Sequence, residues 1–299
     1  RAAVAGSLLG FIPAGIDGLA TRHGDAYRGR FEAVLEVLRA AFPDRPWPRW
    51  AAGGIVEFCR MTLREEARFK TRQHYSRSAA DFDAVVGEVY DSAEVMEGYY
   101  LVGLLMSYFV WPHHFELLRF FEDAFLSPDD GDVASVAEWG CGHGLFSLLA
   151  ARRWPGAAVA LADISRHSLA FATRLLAAAG HGGRLRSRLG DILAGGQDGE
   201  PPAERLICAE LLEHVADPEA LLRRVHAGLA PGGRVFLTAA INAPQLDHIQ
   251  LYRGTGEVFA MVARAGLEVG ATVVVSHPAS QGRANPPTVV AMVAGHADG

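Results

Sequence analysis

The feature that most constrains the fold is a glycine-spaced turn between a short apolar run and an amphipathic segment. The stretch VAEWGCGHGLFSLLAARRW occupies residues 136–154, and its glycines stand at Gly140, Gly142 and Gly144. Glycine adopts left-handed backbone conformations at little cost and lets other groups approach the backbone closely. The pattern therefore predicts a strand, a tight turn and the start of a helix.

From residue 133 onward, short apolar runs alternate with amphipathic segments of helical period. This alternation predicts right-handed strand–helix–strand units, and therefore a parallel sheet with helices on both faces. The last two apolar runs, residues 268–276 and 286–295, have no helical segment between them, so we expect one edge strand to be antiparallel. The other predicted strands occupy residues 133–139, 157–163, 183–191, 205–210 and 234–241.

The first part of the chain has a different, helical pattern. In residues 30–42 the apolar side chains recur at helical spacing, and Pro112 stands where a further helix is expected to begin. The turn-forming sequence SPDDGD at 127–132 then interrupts the pattern. We expect an all-helical N-terminal domain over residues 1–130 and an α/β domain over residues 131–299.

Composition narrows the classes of partner. The net charge is −6 and the isoelectric point is near 6.1, which disfavours a nucleic-acid partner because such proteins usually carry a basic face. The longest apolar run, residues 99–111, is too short to cross a bilayer, so no membrane partner is expected. The three cysteines are too few for a disulfide framework and favour a reducing, cytoplasmic location.

The glycine turn is poorly suited to phosphate. Its third glycine, Gly144, comes one residue too early for the dinucleotide pattern G-x-G-x-x-G, and no lysine follows it as a phosphate loop requires. Glu138, two positions before the first glycine, places a carboxylate where a pyrophosphate would be repelled and an ammonium group attracted. The turn is therefore expected to hold a cationic group.

Two further acids follow the next strands of the predicted sheet. Asp163 ends the second strand, where a carboxylate can accept hydrogen bonds from both hydroxyls of a ribose. Asp191 follows the third strand and can accept from an adenine amine, while Ile192 can cover the ring. An ammonium group, a ribose and an adenine without phosphates together describe S-adenosylmethionine.

The motifs VAEWGCGHG, LADIS, LGDI and AELLEHVADPEALLRRVHAGLAPGGRVFLT occur in an order that resembles class I S-adenosylmethionine-dependent methyltransferases, over residues 133–295. The resemblance implies an α/β fold with a Rossmann-like, seven-stranded, mostly parallel sheet of order 3-2-1-4-5-7-6, in which strand 7 is antiparallel. In this class, added N-terminal helices form a lid, a substrate-binding surface or a dimer surface. The cofactor-binding residues it implies are Glu138, Gly140, Gly142, Gly144, Asp163, Ile164, Asp191, Ile192 and Glu210.

The segment INAPQLDHIQLYR, residues 241–253, follows the predicted fifth strand at its carboxyl end. Ligands of such sheets bind at these ends, so polar side chains in this segment are expected near the substrate. Asn242, Asp247 and Tyr252 are candidate substrate-binding residues, and His248 is a candidate catalytic base. By resemblance, His214 in the preceding LLEHV motif is expected to pack a helix rather than to act in catalysis.

A second set of candidates lies in the helical region. His113 and His114 fall in the first turn of a predicted helix, where the helix dipole favours the neutral imidazole that a base requires. Tyr99, Tyr100 and Trp111 are candidates for packing the methyl acceptor. Methyl transfer itself requires mainly alignment of donor and acceptor and exclusion of water.

The expected substrate is a small molecule, such as an amino-acid-derived or aromatic intermediate of secondary metabolism, with carbon, nitrogen or oxygen as the methyl acceptor. A homo-oligomer through the N-terminal helices is possible. No metal site is expected, because the acids and amide at Glu210, Asn242 and Asp247 are scattered along the chain. Two alternatives stay open: a nicotinamide-dependent oxidoreductase, which Leu145 at the turn disfavours, and a non-catalytic protein that binds S-adenosylmethionine.

Overall fold

The computed structural model describes residues 9–126, 131–194, 201–276 and 285–297. Within these residues seven strands form one sheet in the order β3-β2-β1-β4-β5-β7-β6, in which β7 runs opposite to the other six. The expected α/β fold and strand order are confirmed. The strands are β1 (Ser135–Trp139), β2 (Ala158–Asp163), β3 (Leu185–Leu189), β4 (Ala203–Cys208), β5 (Leu229–Ile241), β6 (Leu267–Ser276) and β7 (Thr288–His296).

The absence of a helix between the last two strands had suggested that the antiparallel strand would lie at an edge of the sheet. In the structure it lies inside the sheet. β7 pairs with β5 on one side and with β6 on the other, so the edge position belongs to β6. The lack of a helical segment between β6 and β7 in the sequence predicts that they pair, but it leaves open which of the two joins the parallel strands. In β7 all but the last two residues are buried, whereas the burial of β6 alternates, which suits an edge.

In the described part of the α/β region, four helices connect the parallel strands. Local signals define their starts: Asp217 caps the third of them by accepting from the backbone N–H of Ala220 at 2.8 Å, and Pro218 occupies its first position. Ser165 caps the second of them by accepting from the backbone N–H of Ser168. These helices are α7 (Leu145–Arg153), α8 (Arg166–Ala178), α9 (Pro218–Gly228) and α10 (Thr255–Arg264).

The N-terminal part is helical, and Pro112 begins a helix as predicted. The first helix contains the predicted segment 30–42 up to its last residue and is broken at Gly24, whose backbone is not helical. Wider, π-helical turns extend three of the helices, over Val86–Tyr90, Met96–Tyr100 and Phe121–Phe125. Over residues 9–126 the α-helices are α1 (Phe11–Ala41), α2 (Arg49–Arg72), α3 (Phe82–Val85), α4 (Ala93–Val95), α5 (Leu101–Ser107) and α6 (Pro112–Phe120).

The helical part and the sheet share one hydrophobic core. Phe121, from the turn after α6, packs edge-on against Phe236 of β5 with ring centroids 4.8 Å apart. Phe42, at the end of α1, contacts Phe171 of α8 at 4.5 Å. The division into two domains stays a prediction, and residues 127–130 of its expected boundary lie outside the described residues. No helix within the described residues is both long and apolar enough to span a membrane.

Candidate active site

A cavity of about 380 Å³ lies at the carboxyl ends of the parallel strands, between the sheet and the N-terminal helices. Residues from both parts of the chain line it, so any ligand there contacts both. Gly144 is the one predicted cofactor-binding residue that does not line it. The predicted cofactor-binding residues that line the cavity are Glu138, Gly140, Gly142, Asp163, Ile164, Asp191, Ile192 and Glu210.

The glycine loop shows why three glycines are needed. Gly140, Gly142 and Gly144 have φ angles of +68°, +47° and +71°, in the left-handed region that disfavours other residues. A Cβ on Gly142 would meet nothing within 4 Å, because this residue borders the cavity. A Cβ on Gly144 would lie 2.7 Å from the side chain of Ala172, so this glycine permits close packing of α7 against α8.

Glu138 is buried at the end of β1, and its side chain accepts a hydrogen bond from the backbone N–H of Ser147 at 3.1 Å. Burial raises its pKa to about 8, although this hydrogen bond opposes the shift. An ammonium group in the adjoining cavity would favour the ionised carboxylate. Glu138 therefore has the position and chemistry that an amino-acid tail requires.

Asp163 lies beside the glycine loop and helps to shape it. Its two carboxylate oxygens accept from the backbone N–H groups of Gly142 at 2.9 Å and of Ser165 at 2.8 Å. Burial raises its pKa despite both hydrogen bonds. Asp191 similarly accepts from the backbone N–H of Leu193 at 2.7 Å. Each carboxylate oxygen keeps a second lone pair that a ligand hydroxyl or amine can use.

The opposite wall of the cavity comes from the N-terminal helices and is largely aromatic. Phe58 packs against Trp111 and Tyr100 with ring centroids 5.7 and 5.6 Å apart. Tyr108 lies between His114 and His143, at 5.1 and 5.5 Å. This wall can hold a flat, apolar molecule against the cofactor side. Its aromatic members are Phe11, Phe58, Phe82, Tyr90, Tyr100, Tyr108 and Trp111.

The three predicted catalytic histidines all line the cavity. His113 stacks on Trp111, and the Nδ1 atom of His114 lies 2.8 Å from the hydroxyl of Ser107. His248 is buried, and this burial holds its pKa well below the usual range. All three are positioned to contact a ligand, and the assignment of a base among them stays a prediction.

Three predicted substrate residues lie outside the lining of this cavity. Tyr99 and Tyr100 are neighbours on one helical turn, but only Tyr100 lines the cavity. The Tyr252 hydroxyl donates to the backbone oxygen of Leu212 at 3.0 Å. Asn242 instead lines a smaller adjacent cavity of about 200 Å³. Asp247, Tyr100 and Trp111 do line the main cavity.

Sequence reasoning missed the polar cluster at the acceptor end. The Tyr90 hydroxyl lies 3.0 Å from Nδ1 of His214, which also lies 3.1 Å from the backbone oxygen of Asp247. Tyr100 donates its hydroxyl hydrogen to the Asp247 carboxylate at 2.7 Å. His214 therefore faces the cavity rather than only packing a helix. The one feature of the sequence that indicated this position is that His214 follows shortly after β4.

Among the described residues, Glu213, His214 and His248 each offer one possible metal-ligand atom, all within 4.8 Å of one another. The absence of a metal site was predicted from other residues, so this cluster had not been considered. Nδ1 of His214 contacts two oxygens, the Tyr90 hydroxyl at 3.0 Å and the backbone oxygen of Asp247 at 3.1 Å, so these contacts hold the orientation of the ring.

The fold and the site together define a class I methyltransferase architecture. The comparisons with known proteins agree: residues 137–235 match the family described as "Methyltransferase domain". This part of the chain is an S-adenosylmethionine-dependent methyltransferase domain, as the motifs indicated, and S-adenosylmethionine is its cofactor.

Curated relatives match this domain over part of their length. The chain is 32% identical over 111 residues to a ubiquinone biosynthesis O-methyltransferase of Pseudomonas paraeruginosa, covering 37% of this chain and 46% of that protein. It is 34% identical over 111 residues to the protein of the same name from Xanthomonas euvesicatoria pv. vesicatoria, covering 37% and 45%. The chain thus spans about half the length of these relatives.

Two solved structures show the same fold. The mitomycin 7-O-methyltransferase MmcR has a TM-score of 0.50 and 16% identity, covering 84% of this chain and 69% of that chain. The [4+2]-cyclase SpnF also has a TM-score of 0.50 and 16% identity, covering 62% and 82%. Because proteins named for different reactions share this fold, the function must be argued from the site.

Proposed function

We propose that the protein transfers a methyl group from S-adenosylmethionine to an oxygen atom of an aromatic small molecule. The observation that carries the proposal is the continuity of one cavity, which joins the glycine loop to the aromatic wall. Oxygen is favoured over carbon and nitrogen because the curated relatives are named as O-methyltransferases. The aromatic wall favours a planar acceptor.

The residues of the chain perform three tasks in this reaction. Glu138, Asp163 and Asp191 bind the cofactor, whose sulfonium supplies the electrophilic methyl group when it is bound. Phe58 and Trp111 confine the acceptor, and alignment of the reacting atoms can contribute roughly 7–11 kcal/mol. Burial of the cavity between helices and sheet excludes water, which strengthens the electrostatic contacts inside.

The experiment that tests the proposal combines the purified protein with methyl-labelled S-adenosylmethionine and matched panels of phenols, amines and carbon acids. Mass spectrometry then identifies any methylated product and the methylated atom. We expect product from one or more phenols, and less or none from the other panels. Product from amines alone would contradict the oxygen assignment.

The same preparation separates the two alternative functions. S-Adenosylhomocysteine should raise the unfolding temperature, whereas NADH should not; stabilisation by NADH alone would favour an oxidoreductase. Binding of S-adenosylhomocysteine without turnover of any panel member would favour a non-catalytic binding protein. A homo-oligomer through the N-terminal helices, a role in secondary metabolism and a cytoplasmic location stay predictions, which size-exclusion chromatography and localisation of the tagged protein can test.

A further inference from the structure

We propose that Glu213, His214 and His248 form a binding site for a divalent transition-metal ion, such as Zn²⁺ or Fe²⁺, at the acceptor end of the cavity. One ligand atom from each residue lies within 4.8 Å of the other two. An ion that binds such atoms at about 2.0–2.2 Å holds them up to about 4.3 Å apart, so a shift of about half an ångström closes the site around it. The acids considered from the sequence alone are not among these ligands.

The carboxylate of Glu213 is the observation that points most directly to a cation. The side chain is fully buried, and neither oxygen has a hydrogen-bond partner of good geometry among the described residues, although the backbone N–H groups of Glu213 and Ala240 lie nearby. A buried carboxylate without a partner is costly, and a metal ion compensates its charge.

His248 presents a second buried atom of the same kind. The residue is 5% exposed, and its Nδ1 atom has no hydrogen-bond partner in the described part of the chain, although the ring lies near the backbone of Ala243. An imidazole nitrogen and a carboxylate oxygen that both lack partners, on residues of one cluster, are matched by a single metal ion.

Backbone contacts hold the two ligand-bearing loops together. The backbone oxygen of Glu213 accepts from the N–H groups of Ile249 and Gln250, at 2.9 and 3.0 Å, directly after His248. The loop after β4 and the loop after β5 are therefore joined at the point where both supply ligands. A frame that is fixed in advance lowers the entropy cost of binding.

The rings of both histidines are also held from outside the cluster. Nδ1 of His214 contacts the Tyr90 hydroxyl and the backbone oxygen of Asp247. The ring of His248 lies edge-on to Tyr75 at 5.8 Å and to His214 at 4.7 Å. Outer partners of this kind orient metal-binding histidines and are worth about 10- to 100-fold in metal affinity.

The types of ligand indicate the class of metal. Two imidazoles and one carboxylate suit Zn²⁺ or Fe²⁺, whereas Mg²⁺ and Ca²⁺ prefer oxygen ligands alone. Structural zinc sites have four protein ligands, whereas three leave a position open for another molecule. His214 and His248 line the cavity, so the open position faces the space for the acceptor. Binding of an acceptor oxygen there rests on the proposed function, but the metal site itself does not.

A proton shared between Glu213 and Glu210 is the competing explanation. The two carboxyl groups interact, and burial together with the charge of Glu210 raises the pKa of Glu213 well above its usual range. A shared proton would satisfy both acids but would leave Nδ1 of His248 without a partner among the described residues. The two explanations are separable because only one of them requires a metal.

The test uses purified protein without any tag that binds metal. The wild type, stripped with a chelator and titrated with Zn²⁺, should bind one ion per chain with a micromolar or lower Kd. Glu213→Gln and His248→Gln should each weaken this binding more than about 100-fold, beyond what outer contacts contribute. Asp247→Asn, which changes an outer contact, should weaken it about tenfold.

Glu65→Gln and His181→Gln are the matched controls, because they change a buried acid and a histidine that do not line the cavity. Both should bind Zn²⁺ as the wild type does. Affinity for S-adenosylhomocysteine shows whether each variant is folded. X-ray absorption of the zinc-loaded wild type requires no variant and should show two imidazole ligands.

A fourth measurement tests the open position. Azide should shift the visible absorption of the Co²⁺-loaded wild type, and no shift would contradict a position open to the cavity. Binding of Zn²⁺ weaker than micromolar, equal binding in the wild type and both ligand variants, or fewer than two imidazole ligands would overturn the site. None of these measurements requires a methyl acceptor, so the metal site and the proposed methyl transfer can fail separately.

Discussion

The two walls of the cavity are built by different means. The cofactor wall consists of the residues that end β1, β2, β3 and β4, and backbone hydrogen bonds hold the carboxylates of Glu138, Asp163 and Asp191 in place. The acceptor wall consists of aromatic side chains from separate helices, held by packing against one another. The first wall depends on local backbone geometry, and the second on long-range packing.

This difference indicates where amino-acid substitutions are tolerated. A substitution on the cofactor wall alters either a backbone conformation, which costs stability, or a buried carboxylate, which costs cofactor binding. A substitution on the acceptor wall changes the shape of a pocket that neighbouring rings can partly refill. The cofactor wall is therefore expected to be rigid, and the acceptor wall to determine which molecule is methylated.

The largest expected effect comes from the glycine that packs α7 against α8. Gly144→Ala combines a positive φ of +71° with a Cβ placed 2.7 Å from Ala172. We expect the free energy of unfolding to fall by about 3 kcal/mol, from overpacking plus backbone strain. Urea denaturation of the purified variant measures this change.

Gly142→Ala is the matched control, because its Cβ would meet no atom within 4 Å while its φ is also positive. Backbone strain alone should cost about 1 kcal/mol. If both variants lose the same stability, packing of the loop against α8 is not what requires the third glycine.

The next effect concerns the pH dependence of cofactor binding. Glu138 has a pKa of about 8 in the free protein, so below this pH it is mostly protonated. The ammonium group of S-adenosylhomocysteine requires the ionised form. Affinity should therefore rise with pH, by up to tenfold per unit between pH 6 and pH 8, with release of a proton. Isothermal titration calorimetry in two buffers of different ionisation enthalpy measures both quantities.

The same carboxyl predicts a gain in stability when its charge is removed. Its pKa is higher in the folded protein than the ordinary value of 4.5, so ionisation opposes folding as pH rises above that value, and the cost levels off above about pH 8. Glu138→Gln removes this cost, and its unfolding temperature should be higher than that of the wild type by roughly 2–4 °C for each kcal/mol gained in the free energy of unfolding. The increase should be larger at pH 8 than at pH 5. A lower unfolding temperature at both values would contradict the buried, uncompensated carboxyl.

The smallest expected effect tests the acceptor wall. Phe82 lines the cavity and is only partly buried, so Phe82→Ala should raise the KM for a phenol acceptor about three- to tenfold while leaving affinity for S-adenosylhomocysteine unchanged. Tyr99→Ala removes a half-buried aromatic ring that lies outside the cavity and should change neither value. Equal effects of the two substitutions on KM would contradict the assignment of the wall.

The position of the cofactor wall could be predicted because sheet topology fixes it. Once the strands are recognised, the carboxyl ends of neighbouring parallel strands must meet at one edge, and Glu138, Asp163 and Asp191 follow. The glycine spacing then shows where the backbone turns. No knowledge of distant contacts was required for this part of the site.

The acceptor wall could be predicted only in part. Helical periodicity shows which face of a helix is apolar, but it does not say which neighbour that face will contact. The sequence does not distinguish Tyr99 from Tyr100, and only the packing of the helices determines which of them lines the cavity. Tyr252 and Asn242 shared a loop with Asp247, but hydrogen bonds to Leu212 and Arg253 direct them elsewhere. The pairing of Tyr90 with His214, 124 residues apart, left no local signal.

The most direct measurement compares two ligands that differ in the amino-acid tail. S-Adenosylhomocysteine carries the ammonium group, whereas 5′-methylthioadenosine keeps the adenosine and sulfur but lacks it. Calorimetry at pH 8 should show that Glu138→Gln weakens the first ligand about 10- to 100-fold, as the loss of a charged hydrogen bond implies, and leaves the second within twofold. An equal loss for both ligands, or none for either, would contradict the claim that this carboxylate holds a cationic tail.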